Sequence, residues 1–344
     1  MSKLLITGGA GFIGVNAADH FLNKGWQVTI LDNFSRKGTD INRAYLEKAH
    51  PKGLSIVTAD IVSDQDVLRS ECAKADVVLH LAAQVAVTTS VIDPRSDFNC
   101  NALGTFNVLE AVRASAAQPM LIYASTNKVY GGLEQIGVTE GEKRYSFAGG
   151  ITGVDENVQL DFHSPYGCSK GAADQYVHDY ARLYGLKTVV LRQSCIYGPH
   201  QMGIEDQGWV AWFMIASLFG RPVTIYGNGK QVRDLLYVDD LVAAYDACIE
   251  NADSVVGQVF NMGGGAGNTL SLLEFLSLLQ DELGMEINFS YGHTRPGDQP
   301  MFVSDNGKFM KATGWNARTG VKEGIGNLLA WLRENKESLK RFYQ

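Results

Sequence analysis

The chain has 344 residues, of which 45% are hydrophobic and 19% are charged, a balance that supports a folded core and excludes a disordered protein. This length exceeds the usual size of one hydrophobic core, so we expect two domains, or one domain with a large lobe. The net charge of −7 excludes a general nucleic-acid binder, because such proteins present a basic surface to phosphates.

The five cysteines are scattered and include no C-x-x-C pair. This argues against a disulfide framework and a zinc site, and it favours a reducing compartment. The longest apolar stretch, at residues 209–219, is too short to cross a bilayer, and no secretory signal peptide is visible. We therefore predict a soluble cytoplasmic protein with no membrane partner and no bound metal.

Up to residue 192, short apolar or β-branched runs alternate with helical stretches. The predicted strands in this part occupy residues 3–7, 27–31, 54–58, 76–81, 120–124 and 187–192. Such alternation predicts βαβ units and a Rossmann-type, doubly wound parallel sheet in an α/β protein. The segment 131–162 is long for a connection, and irregular insertions of this kind are usually binding loops or lids. A long helix follows at 165–184, with Ser164 as its cap, Pro165 in its first position and Gly185 at its end.

Beyond residue 193 the pattern becomes less regular. Short strands and an amphipathic helix are predicted at 223–226, 258–262 and 271–283. We therefore place one domain at residues 1–192, including the long helix, and a smaller, interleaved α/β lobe at 193–344. Segments of that lobe from about 234–262 are expected to return to the first domain.

The first predicted strand runs into a glycine-rich turn, Thr7-Gly8-Gly9-Ala10-Gly11-Phe12-Ile13-Gly14, and a helix follows. A pyrophosphate reaches a helix N-terminus only where the turn is tight and no Cβ blocks the approach, which three of these glycines permit. Asp32 ends the second strand, where a carboxylate accepts hydrogen bonds from a ribose diol and repels a 2′-phosphate. This combination predicts NAD as cofactor, although a guanidinium such as Arg36 can accommodate a 2′-phosphate.

The long helix carries Tyr166 and Lys170, four residues apart and therefore on one face. To act as a base at neutral pH, a phenol needs its pKa lowered by about three units, worth roughly 4 kcal/mol. One lysine charge about 4 Å away, at an effective dielectric of about 20, supplies roughly that amount. The pair therefore predicts a catalytic phenolate. His80, by contrast, lies in a predicted buried strand and is interpreted as a core histidine.

Further motifs follow in a fixed order along the chain. They are Asp60-Ile61, His80-Leu81-Ala82-Ala83, Asn99, Ser125-Thr126 before Val129-Tyr130-Gly131, Arg192 before Tyr197-Gly198-Pro199, and Arg233-Asp234 before Val238-Asp239-Asp240. Together with the glycine turn, Asp32, Tyr166 and Lys170, this series covers nearly the whole chain. It resembles the extended short-chain dehydrogenase/reductase family of sugar-nucleotide epimerases and dehydratases.

The resemblance, together with chain position, indicates the residues of the site. The expected NAD contacts are Gly8, Gly11, Phe12, Ile13, Gly14, Asp32, Asn33, Ser35, Arg36, Asp60, Ile61, Leu81, Ala82, Ala83, Gln84, Asn99, Ser125, Tyr166, Lys170 and Gln193. The expected substrate contacts are Gln84, Thr126, Asn127, His163, Cys195, Gln201, Met202, Arg233 and Arg295. Thr126 takes the place of the family's catalytic Ser/Thr, which completes the catalytic group with Tyr166 and Lys170.

The two positions after Thr126 bear on the reaction. The family's 4,6-dehydratases carry an Asp-Glu pair there, because removal of water needs an acid and a base beside the sugar. Asn127 and Lys128 stand in those positions, which argues against dehydration. The segments 125–131, 161–176 and 194–198 resemble the subgroup that inverts C2 of CDP-linked hexoses. We therefore predict an NAD-dependent isomerase that acts on a CDP-sugar through a transient 2-keto intermediate.

An acidic protein that binds an anionic sugar nucleotide needs placed cations. Arg233 and Arg295 match the positions where relatives hold the diphosphate, and a guanidinium fork suits two phosphate oxygens. Cys195 departs from the family, because most relatives place there an Asn that contacts the same diphosphate. The usual diphosphate contact is therefore altered in this chain.

Two other functions stay open at this point. One is an NDP-hexose 4-epimerase of the UDP-glucose/galactose type, which uses the same catalytic residues with a different sugar pose. The other is a non-catalytic nicotinamide-binding sensor, a class that usually lacks the Tyr/Lys pair. The resemblance also implies a homo-oligomer, a dimer or tetramer, paired through a four-helix bundle from helices near 101–115 and 165–184.

Overall fold

The computed structural model describes residues 1–295 and 297–343. Its strands are β1 (Lys3–Thr7), β2 (Gln27–Asp32), β3 (Leu54–Thr58), β4 (Val77–His80), β5 (Met120–Thr126), β6 (Val138–Glu140), β7 (Tyr145–Phe147), β8 (Thr188–Gln193), β9 (Cys195–Tyr197), β10 (Val223–Tyr226), β11 (Val232–Tyr237), β12 (Gln258–Met262), β13 (Thr269–Ser271), β14 (Phe289–Gly292) and β15 (Met301–Phe302). Its α-helices are α1 (Phe12–Asn23), α2 (Thr39–Ala49), α3 (Gln65–Cys72), α4 (Val87–Ile92), α5 (Pro94–Phe98), α6 (Gly104–Ala114), α7 (Ser164–Tyr184), α8 (Trp209–Leu218), α9 (Val238–Glu250), α10 (Ala252–Val255), α11 (Leu272–Leu283), α12 (Gly307–Thr313), α13 (Val321–Glu334) and α14 (Lys336–Tyr343). A π-helical turn at Asn99–Leu103 and 3-10 turns at Asn127–Tyr130 and Ala266–Asn268 complete the described elements.

The main sheet is parallel throughout, with strand order β12-β8-β5-β4-β1-β2-β3. Its central strands are buried on both faces, as their nearly continuous apolar sequences require. The predicted Rossmann-type sheet is thus confirmed. Strands β2 and β5 extend past their predicted ends, and their last residues are Asp32 and Thr126. Both polar side chains therefore stand at the carboxyl edge of the sheet.

The strand order reverses between β1 and β4, because the chain runs outward from β1 to β3 and then returns to the other side of β1. Ligands of open α/β sheets bind in the crevice at such a reversal, beyond the carboxyl ends of the strands. The glycine turn leaves β1 at this point, and the segment from Leu81 leaves β4 beside it. The topology therefore directs both predicted cofactor segments into one crevice.

The second lobe is built from a sheet of β13, β11, β15 and β9, a pair of β10 and β14, and helices around them. Trp212 and Phe213 of α8 lie in its buried core with Phe275 and Leu328. Strand β12 leaves this lobe and pairs with β8 at the edge of the main sheet. Among the described residues, we find no helix with both the length and the apolar character that a membrane crossing needs.

The insertion at 131–162 is folded, in contrast to the irregular segment expected from the sequence. It contains the hairpin of β6 and β7, and the backbone N–H of Tyr145 donates to the carbonyl of Lys230 over 3.0 Å. Arg144 donates to Thr269 over 2.8 Å, and Val154 is buried against Phe302. The insertion therefore packs onto the second lobe. Tertiary contacts stabilise a segment whose Gly-rich local sequence predicts no regular element.

Candidate active site

A cleft of about 1030 Å³ follows the carboxyl edge of the main sheet and continues to the second lobe. Every residue predicted to contact NAD lines this cleft. Among the predicted substrate contacts, the lining residues are Gln84, Thr126, Cys195, Gln201 and Met202. The structure thus brings the whole predicted cofactor set and about half of the predicted substrate set to one place.

Two glycines of the turn are required by the packing of the protein itself. Gly8 has a φ of +70°, and a Cβ there would lie 2.7 Å from the backbone nitrogen of Ala82. A Cβ on Gly14 would lie 2.5 Å from the carbonyl oxygen of Gly8. The turn therefore closes tightly, and it brings the N-terminal N–H groups of α1 to the cleft.

The Asp32 carboxylate is nearly buried at the end of β2. It accepts hydrogen bonds from the backbone N–H groups of Ala10, at 3.0 Å, and Phe34, at 2.8 Å. Burial raises the pKa of Asp32, and these two bonds act in the opposite direction. Beside it, the buried Asn42 donates to the carbonyl of Ala10 over 3.0 Å, while its own Oδ1 has no hydrogen-bond partner. Asn42 belongs to no motif, and it was not among the predicted site residues.

These groups fit a dinucleotide. The N–H groups at the start of α1 would meet the pyrophosphate, and Asp32 would accept from a ribose diol with its remaining lone pairs. The unpaired amide oxygen of Asn42 is a further acceptor that a bound ligand can satisfy. Arg36 lies near Asp32 at the exposed rim of the cleft, where desolvation lowers its pKa. The structure thus places both Asp32, which favours NAD, and Arg36, which can accommodate the 2′-phosphate of NADP, at the cleft.

The three predicted catalytic side chains are buried and lie together at the cleft wall. Thr126 ends β5, and its Oγ1 accepts a hydrogen bond of 3.2 Å from the N–H of Lys128. Tyr166 and Lys170 project from the first turns of α7. The helix begins at Ser164, one residue before the predicted start, so His163 and not Ser164 occupies the cap position, while Ser164 Oγ accepts from the N–H of Gly167 over 3.2 Å.

Burial sets the charge states of this group in the protein alone. It raises the pKa of Tyr166 to about 12, and the neighbouring Thr126 hydroxyl opposes this shift. It lowers the pKa of Lys170 to about 8. Lys170 was expected to lower the phenol pKa, but in this structure desolvation outweighs any such effect and the net shift is upward. The Lys170 ammonium donates to the carbonyl of Ala124 over 2.6 Å and lies 4.3 Å from the ring centre of Tyr123. Desolvation is therefore the largest influence on the pKa of the Tyr166 phenol.

A buried ion pair behind the catalytic group was not predicted. Asp174, on α7 one turn after Lys170, accepts from Arg192 Nη2 and Nε at 2.9 and 3.0 Å. It also accepts from Ser125 Oγ at 2.6 Å. Its carboxylate thus joins α7, β8 and the end of β5, which carries Thr126. A carboxylate one helical turn after the catalytic lysine is the sequence signal that could have found it.

His80 has a structural role, in agreement with its interpretation as a core histidine. Its Nδ1 lies 2.6 Å from Thr7 Oγ1, and its Nε2 lies 3.0 Å from Thr105 Oγ1. Burial lowers the pKa of His80 to about 3. The ring is therefore neutral at physiological pH, and both nitrogens are used inside the protein.

The two predicted diphosphate arginines do not line the cleft in this structure. Arg233 donates to Asp298 over 2.6 Å, and Arg295 donates to Asp206 over 2.8 Å. The guanidinium of Arg295 also lies 3.8 Å from the ring centre of Tyr226. Carboxylates of the second lobe therefore pair with both cations, and the role of the two arginines toward a diphosphate stays a prediction.

Two other predicted substrate contacts are also directed elsewhere. The amide of Asn127 donates to the buried Gln299 over 3.1 Å. His163 Nε2 lies 2.9 Å from an oxygen of Asp161, and these two side chains share with Glu134 the only group of possible metal ligands within 4.8 Å of one another among the described residues. The contact with Asp161 accounts for the position of the His163 ring.

The cleft contains further residues outside the predicted set. Those with polar or aromatic side chains include Lys37, Thr39, Asn42, Thr89, Arg95, Cys100, Ser194, His200, Gln207 and Trp209. Ser90, next to Thr89, accepts a hydrogen bond of 3.1 Å from the N–H of Tyr166 through its Oγ. Several lie in helices, such as Asn42 in α2, Thr89 in α4 and Trp209 in α8, and most lie outside the motifs named above, so their position in the fold identifies them.

Comparisons with known proteins agree with this site. Residues 4–263 match the model of the NAD dependent epimerase/dehydratase family. A CDP-paratose 2-epimerase of Salmonella typhi is 45% identical over 335 residues, which cover 96% of this chain and 98% of that protein. Among solved structures, the UDP-glucose 4-epimerase of Thermus thermophilus in complex with NAD has a TM-score of 0.79 at 31% identity, over 96% of this chain and 99% of that one.

A dTDP-glucose 4,6-dehydratase of Streptomyces venezuelae, solved with NAD bound, has a TM-score of 0.84 at 27% identity, over 98% of this chain and 99% of that one. The family match covers the glycine turn, Asp32, Thr126, Tyr166 and Lys170, all of which line the cleft. The chain therefore belongs to the NAD-dependent epimerase/dehydratase family.

Proposed function

We propose that the protein is an NAD-dependent isomerase that inverts C2 of a CDP-linked hexose, converting CDP-paratose to CDP-tyvelose. The observation that carries this proposal is the 45% identity to the Salmonella typhi CDP-paratose 2-epimerase over nearly the full length of both chains. The replacement of an Asp-Glu pair by Asn127 and Lys128 supports it, because elimination of water lacks its acid and base there.

The chemistry that NAD supplies when bound is reversible hydride exchange with the substrate carbon. Thr126 and Tyr166 hold the reacting hydroxyl. Both side chains line the cleft, and the hydrogen bond between the Thr126 hydroxyl and the phenol lowers the pKa of Tyr166. Tyr166 Oη removes the hydroxyl proton as C2 is oxidised and returns it as the 2-keto sugar is reduced on its other face.

Lys170 contributes charge to this proton transfer. Its ammonium is fixed by the Ala124 carbonyl and surrounded by buried groups, so its field acts in a low dielectric. Burial raises the pKa of Tyr166, and a nearby positive charge acts in the opposite direction. Lys170 supplies such a charge, and bound oxidised NAD would add to it.

Product analysis tests the proposal. The NAD-loaded protein is incubated with CDP-, UDP- and GDP-hexoses, and the products are examined by NMR at C2 and C4. We expect inversion at C2 of a CDP-linked substrate alone. Inversion at C4 of a UDP-hexose would establish the alternative 4-epimerase, which the likeness to the Thermus thermophilus enzyme favours. Bound NAD without turnover of any sugar nucleotide would indicate a nicotinamide sensor.

We also propose that the protein is a homo-oligomer paired through α6 and α7. Both helices present apolar side chains to the surface, with Phe106, Tyr176 and Leu183 being 38%, 52% and 69% exposed. Such a patch favours burial against a second copy. Phe106→Glu combined with Leu183→Glu should yield monomers in light scattering, whereas Met310→Glu, at another exposed apolar side chain, should not. A monomeric wild-type protein would refute this pairing.

The cytoplasm is the proposed compartment. All five cysteines are free thiols in the structure, and Cys72 and Cys248 are buried. This pattern is typical of a reducing environment.

A further inference from the structure

The side chain of Lys128 has no part in the mechanism above, although it follows Thr126 by two residues. Its ammonium donates to the carbonyl of Gly297 over 3.1 Å and lies 3.9 Å from Asp298 Oδ1. Its backbone N–H is bonded to Thr126 Oγ1. The lysine therefore extends from the catalytic threonine to a loop of the second lobe.

Arg233 approaches the same carboxylate from the second lobe, with its Nη2 2.6 Å from Asp298 Oδ1. Two cations thus share one anion, and one positive charge remains in excess. The side chains of Lys128 and Arg233 are only 22% and 14% exposed, so this charge is poorly solvated. Desolvation and the adjacent guanidinium lower the pKa of Lys128 to about 8. An anionic ligand at this junction would relieve the imbalance.

The junction adjoins the cleft. Thr126 and Cys195 line the cleft, and Lys128 and Arg233 stand directly behind them in the chain and in the sheet. Lys128 follows Thr126 by two residues, and Arg233 precedes by two residues Leu235, which pairs in register with Cys195. Because the reacting sugar hydroxyl is proposed to lie at Thr126, we take Lys128 as the cation nearer to the sugar.

We propose that Lys128 binds the phosphate next to the sugar of a nucleoside-diphosphate sugar, while Arg233 binds the phosphate next to the nucleoside. The proposal rests on the proposed function for the identity of the ligand. The diphosphate of such a sugar carries two negative charges, which match the two cations and release Asp298 from both. A specific role for the lysine also explains why a positive charge occupies the turn directly after the catalytic threonine.

The test compares CDP, which carries both phosphates, with CMP, which carries only the phosphate next to the nucleoside. Titration calorimetry of the NAD-loaded protein measures the Kd of CDP and of CMP for wild type, Lys128→Met and Lys128→Arg. Lys128→Met should weaken CDP binding by about tenfold or more, because it removes a charged hydrogen bond, and should change CMP binding by less than about twofold. Lys128→Arg should restore CDP binding to within about threefold of wild type.

Lys308→Met is the matched control. Lys308 also donates to a backbone carbonyl, of Val259 at 2.8 Å, and burial also lowers its pKa, but its partner lies on β12 and not beside Asp298 and Arg233. It should leave both affinities unchanged. Equal losses of CDP and CMP affinity in Lys128→Met, or no loss of either, would overturn the proposal.

UDP and UMP are measured in parallel, so that the two proposals are tested separately. If the wild-type protein prefers UDP, the proposed substrate is wrong, and Lys128 is judged by the contrast between UDP and UMP. If the wild-type protein binds no nucleoside diphosphate, both proposals fail.

Discussion

The Lys170 ammonium donates a hydrogen bond of 2.6 Å to the carbonyl of Ala124, two residues before Thr126 on β5. This bond ties the catalytic helix to the strand that carries the catalytic threonine. It also orients the ammonium toward the backbone and the Tyr123 ring. In the protein alone, the phenol of Tyr166 consequently stays neutral, and its activation depends on what binds.

Tyr166→Phe tests the phenol as the acid/base group. The variant keeps the ring packing and removes only the hydroxyl, so we expect turnover to fall by at least about a hundredfold while NAD stays bound. Product NMR and the NAD content of the purified protein measure the two effects. Near-normal turnover would contradict the assignment.

Because His80 is buried and neutral, we expect part of the free energy of unfolding to be lost at acid pH. Its pKa is about 3 in the folded protein and about 6.5 when unfolded, so between these values the unfolded chain binds the extra proton. The free energy of unfolding therefore falls as the pH falls through 6.5, by up to about 1.4 kcal/mol per pH unit.

Urea unfolding measures this component. The free energy of unfolding is determined for wild type and His80→Asn at several pH values between about 7.5 and 5. The variant is expected to be less stable at neutral pH, because a buried threonine loses its partner, but to show a shallower pH dependence. Parallel curves for the two proteins would argue against a neutral His80.

Gly14→Ala tests the tight closure of the glycine turn. A Cβ at this position collides with the Gly8 carbonyl oxygen, so we expect a loss of about 1–3 kcal/mol of stability and weaker NAD binding. Gly326 of α13 is the matched helical control, because a Cβ there meets nothing within 4 Å. Gly326→Ala should stabilise the protein by about 0.5–1 kcal/mol. Equal effects in both variants would contradict the steric argument.

Arg233→Ala tests the proposed diphosphate contact. Removal of the guanidinium should raise the KM for the CDP-sugar by about tenfold or more and lower kcat much less, since the arginine binds away from the reacting carbon. Arg69→Ala, at an exposed arginine of α3 paired with Asp66, should leave both constants unchanged. A loss confined to kcat would exclude a binding role for Arg233.

The sequence by itself determined the parallel sheet and predicted residues that the structure brings together along the cleft. Apolar runs alternating with helices specify βαβ units, and the glycine turn, Asp32 and the Tyr166/Lys170 pair follow from local spacing. These features depend on contacts between near neighbours in the chain, and such contacts are visible as short motifs. Strand ends were less certain, as the extension of β5 to Thr126 shows.

Only the tertiary structure decided where the charged side chains of the second lobe point. Arg233 and Arg295 are paired with Asp298 and Asp206, and Lys128 reaches Gly297 across 169 positions of the chain. These pairs join segments that are distant in sequence, so no local pattern records them. The same holds for the charge state of Tyr166, because the pKa of a phenol depends on burial by the whole fold.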